Sequence, residues 1–125
     1  MSLLGRKVWA IAEGYIPAWS HGPAPQMISH EAVCILNPSD QDARVAITVY
    51  SENREPAGPY RFMVGARRTR HLRFNNFDDP EKIPPDTPYS SVIRSDVPVI
   101  VQHTGLDSRQ AENALLSTIA FPGEE

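Results

Sequence analysis

Twelve prolines and seven glycines break this chain into short pieces. Proline lacks an N–H and clashes with a preceding helical turn, so few windows are long enough for a helix. What survives between the breaks is a succession of short apolar runs rich in β-branched and aromatic residues, the composition of strands. About eight such runs, each bounded by turn residues, predict an all-β, single-domain β-sandwich spanning residues 1–125, jelly-roll-like in character.

The expected strands follow in order. Lys7–Ala12 (KVWAIA) is closed by Glu13-Gly14. Tyr15–Pro25 is a loop by its three prolines, and it carries Tyr15, Trp19 and His21. Ile28–Asn37 reads as a strand with two candidate inward sets: the even residues, including His30 and Cys34, or the odd ones, including Glu31 and Val33. Both sets are apolar after Ala32, which predicts cover on both faces there. Ala43–Ser51 alternates, with Val45, Ile47 and Val49 set against Arg44, Ala46 and Thr48. The short Ser39–Ala43 link predicts a hairpin between these two strands. Tyr60–Val64 and Arg67–Phe74 come next, then a proline-rich irregular stretch, Asn75–Pro88. Tyr89–Ser95 and Val97–Thr104 read as two further strands, with Pro98 at an edge or a strand end. Leu115–Phe121 reads as the last strand, preceded by one helical turn around Arg109–Glu112; a helix from Ser108 is the alternative.

A length of 125 residues is enough for one core. No run of about 18 apolar residues is present to span a membrane. The opening stretch MSLLGRKVWAIAEG reaches Glu13 too soon for a secretory h-region. A single cysteine, Cys34, excludes an internal disulfide and a Cys-rich zinc site, and the expected compartment is the cytoplasm. The net charge of −3 gives no general pull towards nucleic acid or anionic membrane. Charge is unevenly spread, however. Pro56–Phe77 holds Arg61, Arg67, Arg68, Arg70 and Arg73 with no acid, and Asp78, Asp79, Glu81 and Asp86 follow. Arg67, Arg68, Arg70 and Arg73 are therefore candidates for an interface or an anion site. Arginine's planar fork suits carboxylates across a subunit boundary as well as phosphate. DNA binding is the weaker use of them, because the chain is acidic overall.

The chemistry-bearing residues form no catalytic or metal signature. His21, His30, His71 and His103 lack the spacing of metal ligands. No nucleophile motif or phosphate-cradling glycine loop is present, and Cys34 sits inside an apolar strand. No enzyme, metal or cofactor is expected.

Four stretches resemble the sensory rhodopsin transducer family: WAIAEGYIP (Trp9–Pro17), ISHEAVCILN (Ile28–Asn37), GPYRF with ARRTRHLRFN (within Gly58–Asn75) and VQHTGLDSRQAENALLSTIA (Val101–Ala120). The resemblance runs essentially end to end. It implies a compact β-sandwich assembled as a homotetramer. It also implies either a small-molecule-binding module or a soluble transducer docked on the cytoplasmic face of a microbial sensory rhodopsin. Gly105 stands where the rhodopsin-linked transducer would carry a basic residue, which counts against docking.

The polar residues nearest the strand ends suggest a site for a small polar, sugar-like ligand. Glu13 ends the first strand, Trp19 sits on a stiff loop, and His30 and Glu31 start a strand. His103 is in phase with Val99 and Val101 and so points inwards, while Arg109, Gln110 and Asn113 follow it. A ring such as Trp19 surrounded by carboxylate and amide groups suits a sugar's C–H face and hydroxyls. The alternative is a closed network that ties the strand ends together.

Overall fold

The computed structural model describes residues 4–110 and 112–125. Among them are β1 (Arg6–Gly14), β2 (His30–Asn37), β3 (Ala43–Tyr50), β4 (Ala57–Val64), β5 (Arg68–Arg73), a 3-10 turn (Phe74–Asn76), β6 (Tyr89–Asp107), β7 (Ala114–Ile119) and β8 (Phe121–Pro122). All strand pairs are antiparallel. The expected all-β sandwich is what forms. One sheet runs β4-β3-β6-β1-β8, and the other runs β5-β2-β6-β7. No described helix is long and apolar enough to cross a membrane.

β6 belongs to both sheets. Its first half pairs with β1 and β3, and its second half with β2 and β7. The two strands expected on either side of Asp96 are therefore one. Pro98 lies inside this strand rather than at its end. It is tolerated because the ladders skip Asp96–Pro98, where a bulge makes no demand on its missing N–H. The odd residues face the interior throughout: Tyr89, Ser91, Ile93 and Ser95 in one sheet, Val99, Val101 and His103 in the other. Trp9 fixes the bend, since its Nε1–H donates to the Val99 carbonyl at 2.9 Å.

The hairpin expected between β2 and β3 does not form. β2 pairs with β5 and β6, and β3 with β4 and β6, so the link crosses between sheets. Asn37 makes the crossing possible. It is fully buried, and its Nδ2 donates to the carbonyls of Gln41 (2.7 Å) and Val64 (3.0 Å). Its Oδ1 accepts from the Ser39 N–H at 3.0 Å. The side chain thus takes up backbone groups that a ladder would otherwise satisfy.

The core lies between the sheets and includes Trp9, Val33, Ile35, Val45, Ile47, Tyr60, Phe74, Phe77, Ile93 and Val101. Each such side chain contributes on the order of 1.5–3 kcal/mol by leaving water. The inward set of β2 is the odd one. The cover expected on both faces after Ala32 is absent in the single chain, where Cys34 is half-buried and Leu36 exposed. The end of the chain also departs from expectation. Ser108 is irregular, Arg109 and Gln110 form a bend, and Ala111, part of the expected helical turn, lies outside the described residues. Ala120 divides the last strand into β7 and β8. All six β7 residues are exposed.

Candidate functional site

The site grows from the inward phase of β2 and β6. Register places Val33 opposite His103 and Glu31 opposite Gly105. His103 Nε2–H donates to Glu31 Oε1, and the two residues are only 5% and 9% exposed. A buried carboxylate needs such a donor, because leaving it unpaired is costly. The Glu31 backbone N–H is held by Asn75 Oδ1 at 3.1 Å, which fixes the strand end beneath the pair. Gly105 leaves room for the carboxylate. A Cβ there would lie 2.5 Å from Glu31 Oε2.

A cleft of about 430 Å³ opens above this pair, between the end of β1 and β7. Glu31 and His103 lie in its lining with Glu13, Tyr15, Leu116 and Phe121. A β-bulge shapes the β1 wall. Ile11 pairs with Ser91 and Gly14 with Tyr89, so three steps along β1 match two along β6. The extra residue breaks the alternation, and both Ala12 and Glu13 come to the surface at the cleft. Beyond Ala10 the outer edge of β1 has no strand partner among the described residues, because β8 reaches only Trp9 and Ala10.

Tyr89 lies behind the cleft wall, packed against Gly14 and outside the lining itself. It is 5% exposed, and its hydroxyl has no hydrogen-bond partner. A Cβ on Gly14 would fall 2.5 Å from the Tyr89 ring and 3.0 Å from its hydroxyl oxygen, so glycine is required at this crossing. Burial, and then the negative charge of Glu31, push the Tyr89 phenol well above its ordinary range. It is a neutral donor without an acceptor.

Of the eight candidate residues, the fold brings together Glu13, Glu31 and His103. His30 faces the other side of β2, where its Nδ1 lies 2.6 Å from the Ile28 carbonyl oxygen. Trp19 is 56% exposed and packs edge-on against His21, with ring centroids 5.5 Å apart. It lines no part of the cleft, whose aromatic groups are Tyr15 and Phe121. Arg109 grips Asp107 through Nε (3.0 Å) and Nη2 (2.7 Å). That fork holds the Asp107 carboxyl below its usual range. Arg109 also lies over the Tyr15 ring at 5.6 Å, on the outer side of the cleft mouth. With Gln110 it lines a separate hollow of about 260 Å³. Asn113 is exposed and lines neither. Gly14 and Phe121 line the cleft, Tyr89 packs behind Gly14 and Gly105 behind Glu31, and sequence reasoning missed all four. The signal for Tyr89 is its odd phase with Ser91 and Ile93.

The arginine strand is a separate feature. Arg70 Nη1 donates to the Met63 carbonyl at 2.8 Å, and Arg73 Nη1 to that of Pro25 at 2.9 Å. Arg68 reaches the Arg67 carbonyl at 3.2 Å. Arg67 makes a long, exposed ion pair with Asp40 at 3.7 Å, which contributes little. Among the described residues, none of these arginines pairs with Asp78 or Asp79. No described group of three His, Cys, Asp or Glu is placed to hold a metal ion.

The family model for the Anabaena sensory rhodopsin transducer matches residues 4–122. This chain belongs to the sensory rhodopsin transducer family. A solved structure of the Anabaena sensory rhodopsin transducer is similar to it at 62% identity, covering 82% of this chain and 100% of that one, with a TM-score of 0.75. The crystal structure of Thermotoga maritima 1070 is similar over 98% of both chains at 31% identity, with a TM-score of 0.87. No curated protein matches. For this transducer-family chain, the match extends over both walls of the cleft, from β1 to β7.

Proposed function

We propose that this transducer-family chain is a non-enzymatic, single-domain, cytoplasmic module that binds a small polar, sugar-like ligand in the cleft between β1 and β7. The observation that supports this is the buried Glu31–His103 pair at the floor of that cleft. Glu31 accepts from a ligand hydroxyl while His103 holds it in place. The rings of Tyr15 and Phe121, which line the same cleft, face the ligand's C–H surface. A thermal-shift screen over sugars, sugar acids and nucleotides tests this. A ligand at 100 times its Kd adds about 2.7 kcal/mol, a shift of several degrees. Glu31→Gln keeps the shape and can still accept from His103, so it is expected to remain folded and lose the shift. If no compound stabilises the parent, the pair is a structural tie and the reading fails.

A second reading is favoured by the 62% identity to a rhodopsin transducer: a soluble homotetramer that docks on a microbial sensory rhodopsin. Its assembly is supported by surface left uncovered in one copy. Leu115, Leu116, Ile119 and Phe121 are 60–75% exposed, and the basic β5 and the acidic Asp78-Asp79 loop carry opposite charge with no ion pair between them among the described residues. Position 105 faces Glu31 in the interior, so docking falls to exposed loops. Light scattering, alone and with a detergent-solubilised sensory rhodopsin, separates the parts. The expected particle is a four-fold multiple of the 13.9 kDa chain, and a larger complex with the receptor. A 13.9 kDa particle overturns the tetramer, and no larger complex overturns docking.

A further inference from the structure

We propose that the outer face of β4, β3 and β6 carries a site for a compact oxyanion with two or more negative charges, held by Arg44, Arg61 and Arg94. The site is separate from the cleft between β1 and β7 and independent of what binds there. Register builds it. Ala46 in β3 stands opposite Arg61 of β4 on one side and Arg94 of β6 on the other. Arg44 lies two residues along β3 and so on the same face. That face is the solvent side, since Val45 and Ile47, which alternate with these residues, are buried and all three arginines are exposed. By strand geometry the Cα atoms of Arg61 and Arg94 are roughly 10 Å apart across Ala46, and that of Arg44 is roughly 7 Å from Ala46. Arginine side chains are long enough to bring three guanidinium forks together over the small Ala46 side chain. A hollow of about 310 Å³ lies on this face, with Arg44, Ala46, Arg61 and Met63 in its lining.

What sets these three arginines apart is that their side chains are unengaged. Among the described residues, none of the three guanidinium groups has a hydrogen-bond or ion-pair partner. The other arginines are occupied: Arg54 by Glu81, Arg67 by Asp40 and Arg109 by Asp107, with Arg6, Arg68, Arg70 and Arg73 on backbone carbonyls. The arginines without partners are thus the ones that the ladders gather on one face. Nearby acids do not neutralise them. Asp96 accepts from the Arg44 backbone N–H at 2.8 Å and leaves its guanidinium free. Asp78 and Asp79 line a different hollow, which Arg61 also borders, and neither pairs with it. Glu125 meets Val8, the β1 residue opposite Arg94, through its backbone carbonyl. A guanidinium stays charged at every working pH, and its paired N–H donors match the oxygens of a phosphate or a carboxylate. Because the strands space the arginine stems roughly 10 Å apart, two anionic groups side by side engage all three forks better than one.

Calorimetric titration of the whole protein in a low-salt, non-anionic buffer tests the inference with pyrophosphate, citrate and acetate. Pyrophosphate and citrate are expected to bind about 10-fold tighter than acetate or better, and to weaken as added chloride screens the charges. Which of the two binds tighter identifies phosphate or carboxylate as the preferred group. Arg94→Ala and Arg61→Ala are each expected to weaken the tighter of them about 10-fold. Lys82→Ala removes the same charge from the proline-rich loop and is expected to leave the affinity within about 2-fold. Ala46→Leu keeps all three charges but fills the hollow, and is expected to weaken binding about as much as the loss of one arginine, about 10-fold. Circular dichroism shows whether each variant is folded. Failure of both pyrophosphate and citrate to bind overturns the inference. An equal loss in Lys82→Ala and Arg94→Ala also overturns it, because the attraction is then diffuse. Neither outcome touches the ligand-binding reading of the cleft, which the thermal-shift screen decides separately.

Discussion

Phe74→Ala is expected to lower the stability of this protein by about 3–5 kcal/mol, the usual cost of emptying a buried aromatic site. Phe74 is 1% exposed and closes β5 at the 3-10 turn. Its ring meets Phe77 edge-on at 4.8 Å and Tyr89 at 5.6 Å. Phe77 in turn packs against Tyr60 and Phe62, each at 5.0 Å, so the ring of Phe74 links the β4 aromatics to the start of β6. Its removal leaves a void among rigid rings that cannot collapse to fill it. Thermal unfolding followed by circular dichroism checks this, with an expected fall in Tm of roughly 10–20 °C. A loss below about 1 kcal/mol would show that the aromatic cluster repacks freely.

His103→Ala is expected to cost a comparable amount, roughly 3–5 kcal/mol, for a different reason. The imidazole is replaceable as volume, but its N–H is the donor that holds the buried Glu31 carboxylate. Without it the carboxylate must find water through the cleft or take up a proton. A double-mutant cycle with Glu31→Ala isolates this effect. The double variant is expected to be more stable than the sum of single losses predicts, with a coupling above about 1 kcal/mol. Additive losses would mean that each residue contributes only by packing.

Much of this architecture is readable from local pattern. In β3, one polar and one apolar face alternate without interruption, so Val45, Ile47 and Val49 identify themselves as core. His103 is legible in the same way, by its phase with Val99 and Val101. β2 is harder. Both of its phases are apolar, and only the register with His103 decides that Glu31 faces inwards. Features set by distant pairing are not readable locally. Pro98 reads as a strand terminator because nothing nearby reveals that the ladders skip it. Asn37 looks like an ordinary turn residue, yet its side chain binds the Val64 carbonyl and steers the chain to the other sheet. Trp19 reads as a binding platform, but its ring turns to His21. The part that Gly14 and Tyr89 play exists only once β1 and β6 are paired with a bulge between them.

The double membership of β6 also determines how the molecule comes apart. A sandwich made of two independent sheets can open along its middle, with one sheet melting while the other persists. Here every strand but β4, β5 and β8 is hydrogen-bonded to β6, and those three reach it through a single intermediary. No line of cleavage separates the halves without breaking this strand's own ladders. Amide protons of Val92, Ile93, Val101 and Gln102, drawn from both sheets, should therefore exchange with solvent only when the whole chain unfolds, and at one shared free energy.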